Sequence, residues 1–120
     1  MKVAITSQGK ELSSEIDPRF GRAKWLLVVD TQTGSSEAYD NTVNLNIVQG
    51  AGIQTGQNVV NLGAEAVITG NIGPNAIKTL SAANVKVFLS KAKTIQEAIE
   101  SFKAGEFEEV KQANVEGHWI

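Results

Sequence analysis

The feature that most constrains the fold is an alternation of short apolar runs with segments of helical periodicity. The apolar runs lie at 3–5, 66–69 and 85–89, and each has the length of a buried strand. One helix-patterned segment precedes the second run, one lies between the second and third runs, and one follows the third run. Because crossovers between parallel strands are right-handed and long enough to hold a helix, the three runs are expected to lie parallel in one sheet.

The three helical segments carry recognisable start and stop signals. Proline favours the first helical turn, glycine and asparagine favour the end, and threonine followed by glutamate forms a capping box. The first segment opens at Gly50 and ends at Gly63, and the second opens at Pro74 and ends at Asn84. The third opens at Thr94, with Glu97 three residues later, and ends at Gly105. The sequence therefore predicts about three helices packed on the sheet.

A hairpin is predicted between the first apolar run and the first helix. The run at 25–29 is continuously apolar, Gly34 suits a left-handed turn position, and 35–40 is a more polar returning strand. The fold class is then α/β, a mixed five-stranded sheet made of an antiparallel hairpin and a parallel βαβαβ unit. We expect one α/β domain over residues 1–105, with 106–120 as a C-terminal tail.

Composition narrows the class of protein and of ligand. The chain has 120 residues, 42% of them apolar, a formal net charge of −2 and no cysteine. This charge gives no basic footprint for nucleic acid, and the lack of cysteine excludes disulfides and thiolate-held metal sites within this sequence. No apolar stretch is long enough for a signal peptide or a membrane span, so the expected location is cytoplasmic.

Topology brings four segments, three of which contain glycine, to the edge of the sheet where the first strand ends. They are 8–23, 41–49, 50–52 and 70–73, and two of them open helices. Helix N-termini carry unpaired N–H groups and partial positive charge, and arginine adds charge-assisted donors. This edge is predicted to bind an anion, with the candidate residues Arg19, Arg22, Gly50, Ala51, Gly52, Asn71 and Gly73.

Each candidate also has a purely structural interpretation. Gly52 and Gly73 can serve as caps or tight turns, and the two arginines can be a solvated loop face. Trp25 fits the core better than a site. His118 is either an ordinary tail residue or a metal contact.

Catalysis is not expected. Two-metal nuclease chemistry needs carboxylates clustered near the first strand, which has none, while Asp17, Asp30 and Asp40 are dispersed. There is no phosphate-binding loop motif, and a single histidine without cysteine supplies no nucleophile and base pair. The chain is predicted not to be an enzyme.

Four segments carry a resemblance to a known family. The segments Met-Lys-Val-Ala-Ile at 1–5, Ile-Asp-Pro-Arg-Phe-Gly-Arg-Ala at 16–23, Gly-Ala-Gly at 50–52 and Thr-Gly-Asn-Ile-Gly-Pro-Asn-Ala at 69–76 resemble the dinitrogenase iron–molybdenum cofactor biosynthesis family. The resemblance implies a ribonuclease-H-like motif fold without nuclease chemistry. It also implies binding or transfer of a metal–sulfur cluster, as in cysteine-free members from anaerobes that hold molybdenum–sulfur clusters, some with copper, non-covalently. Phe20 and Gly21 join the candidate set through this motif.

One departure from the family pattern changes the expected binding mode. Members that serve nitrogenase cofactor assembly often have histidine before Phe-Gly, whereas here that place is Arg19. Guanidinium stays protonated and only donates hydrogen bonds. We therefore expect a molybdenum–sulfur cluster, with or without copper or iron, to be bound in the outer sphere, through hydrogen bonds rather than by direct ligation of the metal.

Two other functions stay open. The same face can belong to a regulatory or interaction module that acts with a partner ATPase or a cofactor-assembly protein and holds no cluster. A phosphate-ligand binder is the third hypothesis. The chain is expected to be a monomer or a weak dimer.

Overall fold

The computed structural model describes residues 1–44 and 50–116 of the chain. Within these residues one sheet has the strand order β3-β2-β1-β4-β5-β6. The strands are β1 (Lys2–Ser7), β2 (Trp25–Asp30), β3 (Ser36–Asp40), β4 (Ala66–Thr69), β5 (Lys86–Leu89) and β6 (Glu109–Val110). The helices are α1 (Ala51–Asn61), α2 (Pro74–Ala82) and α3 (Ile95–Lys103), and a short 3-10 turn (Thr42–Asn44) follows β3.

The sheet is mixed, as predicted. β1 pairs parallel with β4, and β4 pairs parallel with β5. β2 pairs antiparallel with both β1 and β3. The α/β class, the hairpin and the parallel strands are confirmed.

The predicted number of five strands is wrong, because the described part of the chain has six. The additional strand β6 runs antiparallel to β5, with Val110 opposite Val87. It contains only two residues within a polar stretch, so neither strand length nor alternation marks it in the sequence. It lies in the segment that was predicted to be a tail.

Helices cover both faces of the sheet over two separate hydrophobic clusters. The α1–α2 cluster contains Val59, Leu80 and the side chain of Ala4 from β1. The α3 cluster contains Ile95 and Ile99 with Ile5 from the opposite face of β1. Because neighbouring residues of β1 point to opposite faces, both clusters hold this strand in the centre of the molecule.

The end signals of the helices act largely as expected. Gly63, Gly105 and Asn84 adopt the left-handed conformation that ends a helix, with φ of 79°, 72° and 59°. Thr94 accepts the Glu97 N–H, but the Glu97 carboxylate accepts the N–H of Lys93 rather than that of Thr94. The predicted capping box therefore has the bond from the Glu97 N–H to the Thr94 side chain. Its second bond, to the Glu97 carboxylate, comes from the residue before Thr94.

No helix in the described ranges is both long and apolar enough to cross a lipid bilayer. The predictions for 45–49, within the loop 41–49, and for His118 lie outside the described residues.

Candidate functional site

The site region lies at the edge of the sheet where the parallel strands end. β1 ends at Ser7, and β2 begins opposite it at Trp25. β4 ends at Thr69, from which 70–73 leads directly into α2. The loop 8–24 between β1 and β2 crosses this edge and carries residues 16–23, which contain Arg19 and Arg22 and are called the arginine motif below.

Buried hydroxyl groups anchor this loop to the strand ends. The Asp17 N–H donates to the Thr6 carbonyl (2.9 Å), and the Thr6 hydroxyl donates to the Asp17 carbonyl (2.7 Å). Since the Thr6 hydrogen is used in this way, the Thr69 hydroxyl 2.8 Å away is the donor to Thr6. These bonds fix the backbone of Asp17 over the ends of β1 and β4.

Asp17 in turn orients Arg19. Its carboxylate is almost fully buried and accepts the backbone N–H of Arg19 at 3.1 Å, while the Arg19 Nε lies 3.8 Å from the same oxygen. The Arg19 side chain remains 42% exposed. Since a guanidinium has five N–H donors, the arrangement holds one side of Arg19 and leaves accessible donors at the sheet edge.

Phe20 has an anchoring role. Its side chain is fully buried in the α1–α2 cluster, and its N–H donates to the carbonyl of Asn71 (3.2 Å). Arg19 and Asn71 also form a parallel bridge. The arginine motif is therefore paired with the loop after β4, and two predicted site segments meet here.

Gly21 brings the same motif against the start of α1. A Cβ at Gly21 would lie 2.8 Å from the backbone nitrogen of Gly52, so only glycine allows this approach. The Gly21 carbonyl accepts the buried Thr55 hydroxyl (2.9 Å), and the buried Asn41 amide donates to the Ala23 carbonyl (2.8 Å). These hydrogen bonds hold the loop against α1 through Thr55 and against the residue that follows β3 through Asn41.

Gly52 allows α1 and α2 to lie close together. A Cβ at Gly52 would be 3.1 Å from the Ala76 Cβ, and one at Gly56 would be 3.0 Å from the Thr79 Cγ2. The N-terminal ends of the two helices are consequently neighbours. Ala51 is buried, and Gly50 before it is exposed and left-handed (φ 82°).

Three helix N-termini lie at this edge, and they differ in how the protein satisfies them. At α3 the N–H groups of Ile95, Gln96 and Glu97 donate to Ser14, Leu12 and Thr94. Neither Gly50 at α1 nor Gly73 at α2 makes a side-chain cap hydrogen bond, and Gly73 is followed by proline. Within residues 1–44 and 50–116, the positive ends of α1 and α2, which flank the arginine motif, therefore show no side-chain cap like that of α3.

The candidate residues from the sequence leave out several that build this region. Asp17, although it belongs to the motif at 16–23, is not among the candidates, and neither are Asn41 and Thr55; all three make buried polar contacts. Asn114 binds the loop after β4: its Oδ1 accepts the Ile72 N–H (2.7 Å) and its Nδ2 donates to Asn71 Oδ1 (3.0 Å). No periodicity or motif distinguishes Asn114 in the sequence.

Arg22 is half-buried and takes part in an interaction, so it is not a free cation. Among residues 1–44 and 50–116, no group of three or more His, Cys, Asp or Glu side chains could hold a metal ion. A groove of about 650 Å³ lies elsewhere, along α3, and none of the predicted site residues lines it.

Shifted acidities occur around the β2–β3 hairpin. Hydrogen bonds from the Thr42 side chain and backbone hold the pKa of Asp40 below its ordinary value. The N–H groups of Gln32 and Thr33 lower the pKa of Asp30, chiefly through Gln32. The carboxylate of Glu37, which accepts from Tyr39, raises the pKa of that phenol.

Comparisons with known proteins found one matching family profile and several similar proteins. The profile of the dinitrogenase iron-molybdenum cofactor family matches residues 1–105. The apo form of the orange protein from Desulfovibrio gigas superposes with a TM-score of 0.92 and 35% identity, covering 95% of this chain and 96% of that one. A Thermotoga protein described as NifB-like, of the DUF35 family, has a TM-score of 0.83 and 41% identity, covering 97% and 98%.

A relative known from sequence is an uncharacterised protein of Methanocaldococcus jannaschii. It is 30% identical over 111 residues, which are 90% of each chain. With a family profile that spans most of the chain and relatives that match nearly end to end, the protein described here belongs to the dinitrogenase iron-molybdenum cofactor family.

Proposed function

We propose that this protein binds and carries an anionic molybdenum–sulfur cluster, with or without copper or iron, at the sheet edge formed by the arginine motif and the N-termini of α1 and α2. The cluster is cargo held by hydrogen bonds, and the role is binding rather than catalysis. Family membership supports a role connected with a metal cofactor.

The observation that carries this proposal is the difference among the three helix N-termini. The protein's own groups bond the first N–H donors of α3, whereas the described part of the chain shows no side-chain cap at α1 or α2. These two helices are the ones packed against the arginine motif. Backbone donors and partial positive charge therefore converge beside Arg19, which is the arrangement that an anion requires.

The donor chemistry of the region fits a thiometallate held through its outer sulfides. The sequence contains no cysteine, so no thiolate can ligate the metal. Arg19 has a partly exposed side chain and donates without accepting, as do the backbone N–H groups. Such donors can form hydrogen bonds with the sulfides of a complete cluster. They cannot take the place of those sulfides as ligands of the metal.

Binding has to rely on these local charges. The chain is acidic overall, with a formal net charge of −2, and the Asp17 carboxylate lies beside Arg19. The Asp17 carboxylate accepts the Arg19 N–H and lies 3.8 Å from the Arg19 Nε. It therefore positions the guanidinium and also offsets part of the guanidinium charge. Removal of Arg19 and Arg22 is therefore expected to reverse the local bias and to abolish tight binding.

The direct test is anaerobic reconstitution with tetrathiomolybdate, with and without copper, followed by desalting. The wild-type protein should retain visible absorbance and molybdenum in a fixed ratio to the chain. The double variant Arg19→Ala/Arg22→Ala should bind at least about tenfold more weakly, because charge-assisted hydrogen bonds each contribute about 1.5–3 kcal/mol.

The charge-matched control is Lys86→Ala/Lys103→Ala, which removes two exposed lysines where β5 begins and α3 ends. It should bind like the wild type. Loss of all colour and metal from the wild type on desalting would refute the proposal. A stoichiometric protein captured from anaerobic lysate, with no metal, would support the interaction-module alternative, and a thermal shift with nucleotides alone would support a phosphate ligand.

A further inference from the structure

We propose that Asn114, from the segment after β6, is a positioning residue that holds the arginine motif in its binding geometry. This inference rests on the proposed function, because the site that it concerns is the anion site. Asn114 lies beyond residues 1–105 that match the family profile. Its role is therefore a property of this chain's C-terminal segment.

Asn114 first clamps the backbone of Ile72 on both sides. The Ile72 N–H donates to Asn114 Oδ1 at 2.7 Å, and the Asn114 N–H donates to the Ile72 carbonyl at 3.1 Å. Ile72 is fully buried and stands two residues before the start of α2. The clamp thus fixes the turn that leads from β4 into α2.

A chain of side-chain bonds then runs from Asn114 to the arginine motif. Asn114 Nδ2 donates to Asn71 Oδ1 (3.0 Å), and Asn71 Nδ2 donates to the carbonyl of Pro18 (3.0 Å). The Asn71 carbonyl accepts the N–H of Phe20 (3.2 Å). Asn71 therefore holds the residues on both sides of Arg19, and Asn114 fixes the orientation of the Asn71 amide.

The amide groups permit only one arrangement of this chain of bonds. A carbonyl at Pro18 can only accept, so Asn71 must present its NH₂ group to Pro18 and its oxygen to Asn114. Asn114 must then present its NH₂ group to Asn71, which leaves its oxygen for the Ile72 N–H. Every group in the series is matched, and successive bonds of this kind reinforce each other.

The segment that supplies Asn114 joins the sheet through a short pairing, and the Val115 N–H also donates to the Ile72 carbonyl (3.4 Å). β6 pairs with β5 over two residues, and Val110 and Ala113 are only partly buried against the α1–α2 cluster. Short, exposed pairings open more easily than core strands. Docking of this segment and order of the arginine motif are consequently coupled through Asn114 and Asn71.

The experiment compares Asn114→Ala with the wild type in two measurements. The dissociation constant of tetrathiomolybdate should rise about fivefold, equivalent to about 1 kcal/mol at 1.4 kcal/mol per factor of ten. Hydrogen exchange at the Phe20 N–H, which reports its bond to Asn71, should accelerate by a similar factor. Gln112→Ala, at an exposed position of the same segment, is the matched control and should change neither quantity.

A double-mutant cycle separates positioning from simple stabilisation. If Asn114 acts through Asn71, the change in dissociation constant caused by Asn114→Ala should largely disappear in an Asn71→Ala background. A merely structural role would instead lower the unfolding midpoint and leave the binding effect undiminished in that background. That result would overturn the proposal, as would an unchanged dissociation constant in Asn114→Ala.

The exchange measurement keeps this inference distinct from the proposed function. Failure of the wild-type protein to bind tetrathiomolybdate refutes the proposed function and, with it, any role of Asn114 in binding. Exchange at Phe20 still reports the coupling itself in that event. Unchanged exchange in Asn114→Ala overturns the inference even if the wild type binds the probe.

Discussion

At the scale of single residues, the glycines of the site serve close backbone packing. A Cβ at Gly21 would meet the Gly52 nitrogen at 2.8 Å, and a Cβ at Gly70 would meet the Pro18 Cα at 2.9 Å. Both contacts are with backbone, which cannot move aside as a flexible side chain can. The glycine spacing that suggested a ligand site is thus required to assemble that site before any ligand arrives.

Gly21→Ala is expected to lower the free energy of unfolding by about 1–3 kcal/mol, the usual range for overpacking, and to weaken tetrathiomolybdate binding. The cause is the displacement of the arginine motif from α1. Urea denaturation gives the first quantity and an absorbance titration the second. Gly9→Ala is the comparison, because its added Cβ meets the Ser14 Oγ at 2.5 Å, a side-chain atom that can rotate away with loss of its bond from the Glu11 N–H. Equal destabilisation of both variants would contradict this account.

Two carboxylates give the protein a defined acid sensitivity. Hydrogen bonds lower the pKa of Asp30 and of Asp40, so their contribution to stability is present above the unfolded value of about 3.9 and is lost as pH falls through the lower folded values. Between about pH 6 and about pH 3 the free energy of unfolding should therefore fall. Urea denaturation at both pH values measures the change.

The variant Asp30→Asn/Asp40→Asn should lose less stability over the same pH interval, since asparagine accepts hydrogen bonds without titrating. Glu106→Gln/Glu108→Gln, at exposed positions, is the charge-matched control and should keep the wild-type dependence. The same pH dependence in all three proteins would show that the two aspartates do not carry the effect.

At the scale of elements, the contact between α1 and α2 determines where two positive helix ends lie. Gly52 and Gly56 form a small-residue face on α1 that packs against Ala76 and Thr79 of α2. Residues four apart lie on one helical face, so this pair lets the helices approach along a shared line. The separation of the helix N-termini, and hence the size of the proposed anion site, depends on this face.

A double-mutant cycle tests the helix contact. In the wild type, the Cβ added by Gly56→Ala would lie 3.0 Å from the Thr79 Cγ2, so the clash offsets the gain in helix propensity of about 1 kcal/mol. Thr79→Ser removes that methyl group and keeps the hydroxyl bond to the Asn75 carbonyl. In the serine background Gly56→Ala should raise the free energy of unfolding by about 0.5–1 kcal/mol more than in the wild type.

The measurement is urea denaturation of the four proteins of the cycle. Thr79→Ala removes the hydroxyl bond as well and controls for that loss. Strict additivity of Gly56→Ala and Thr79→Ser would mean that the two helices do not touch in this way.

Element order could be predicted from the sequence because it depends on local patterns. The apolar runs, Gly63, Asn84 and Thr94 each act within a few residues, and the structure contains the elements that they predict. β6 could not be predicted, since its two residues gain their conformation from pairing with β5. The ribonuclease-H-like label and the cluster ligand stay predictions from the resemblance.

The candidate site was predictable in its location more than in its construction. Arg19, Gly21 and Asn71 come together because topology places their loops at one edge of the sheet. Asn41 and Asn114 could not be found, because an isolated asparagine has no period and its partners are remote in sequence. Tertiary hydrogen bonds of this kind have no local signature.

At the scale of the whole molecule, two hydrophobic clusters cover the two faces of the sheet, and the candidate site lies at the edge where the parallel strands end. The α3 face closes that edge with protein hydrogen bonds, whereas on the α1–α2 face Arg19 lies with two helix N-termini for which the described residues supply no side-chain cap. The proposed anion site lies on this second face. In the proposal, an acidic protein binds an anion through local charges without being basic overall.

The measurement that tests this account most directly is an anaerobic NMR titration of the labelled protein with tetrathiomolybdate. Saturable amide shifts should concentrate at residues 19–22, 51–53, 71–73 and 75–76, and Arg19→Ala/Arg22→Ala should remove them. Shifts centred on the groove along α3, or no saturable shifts in the wild type, would contradict the central claim that this edge of the sheet binds an anionic cluster.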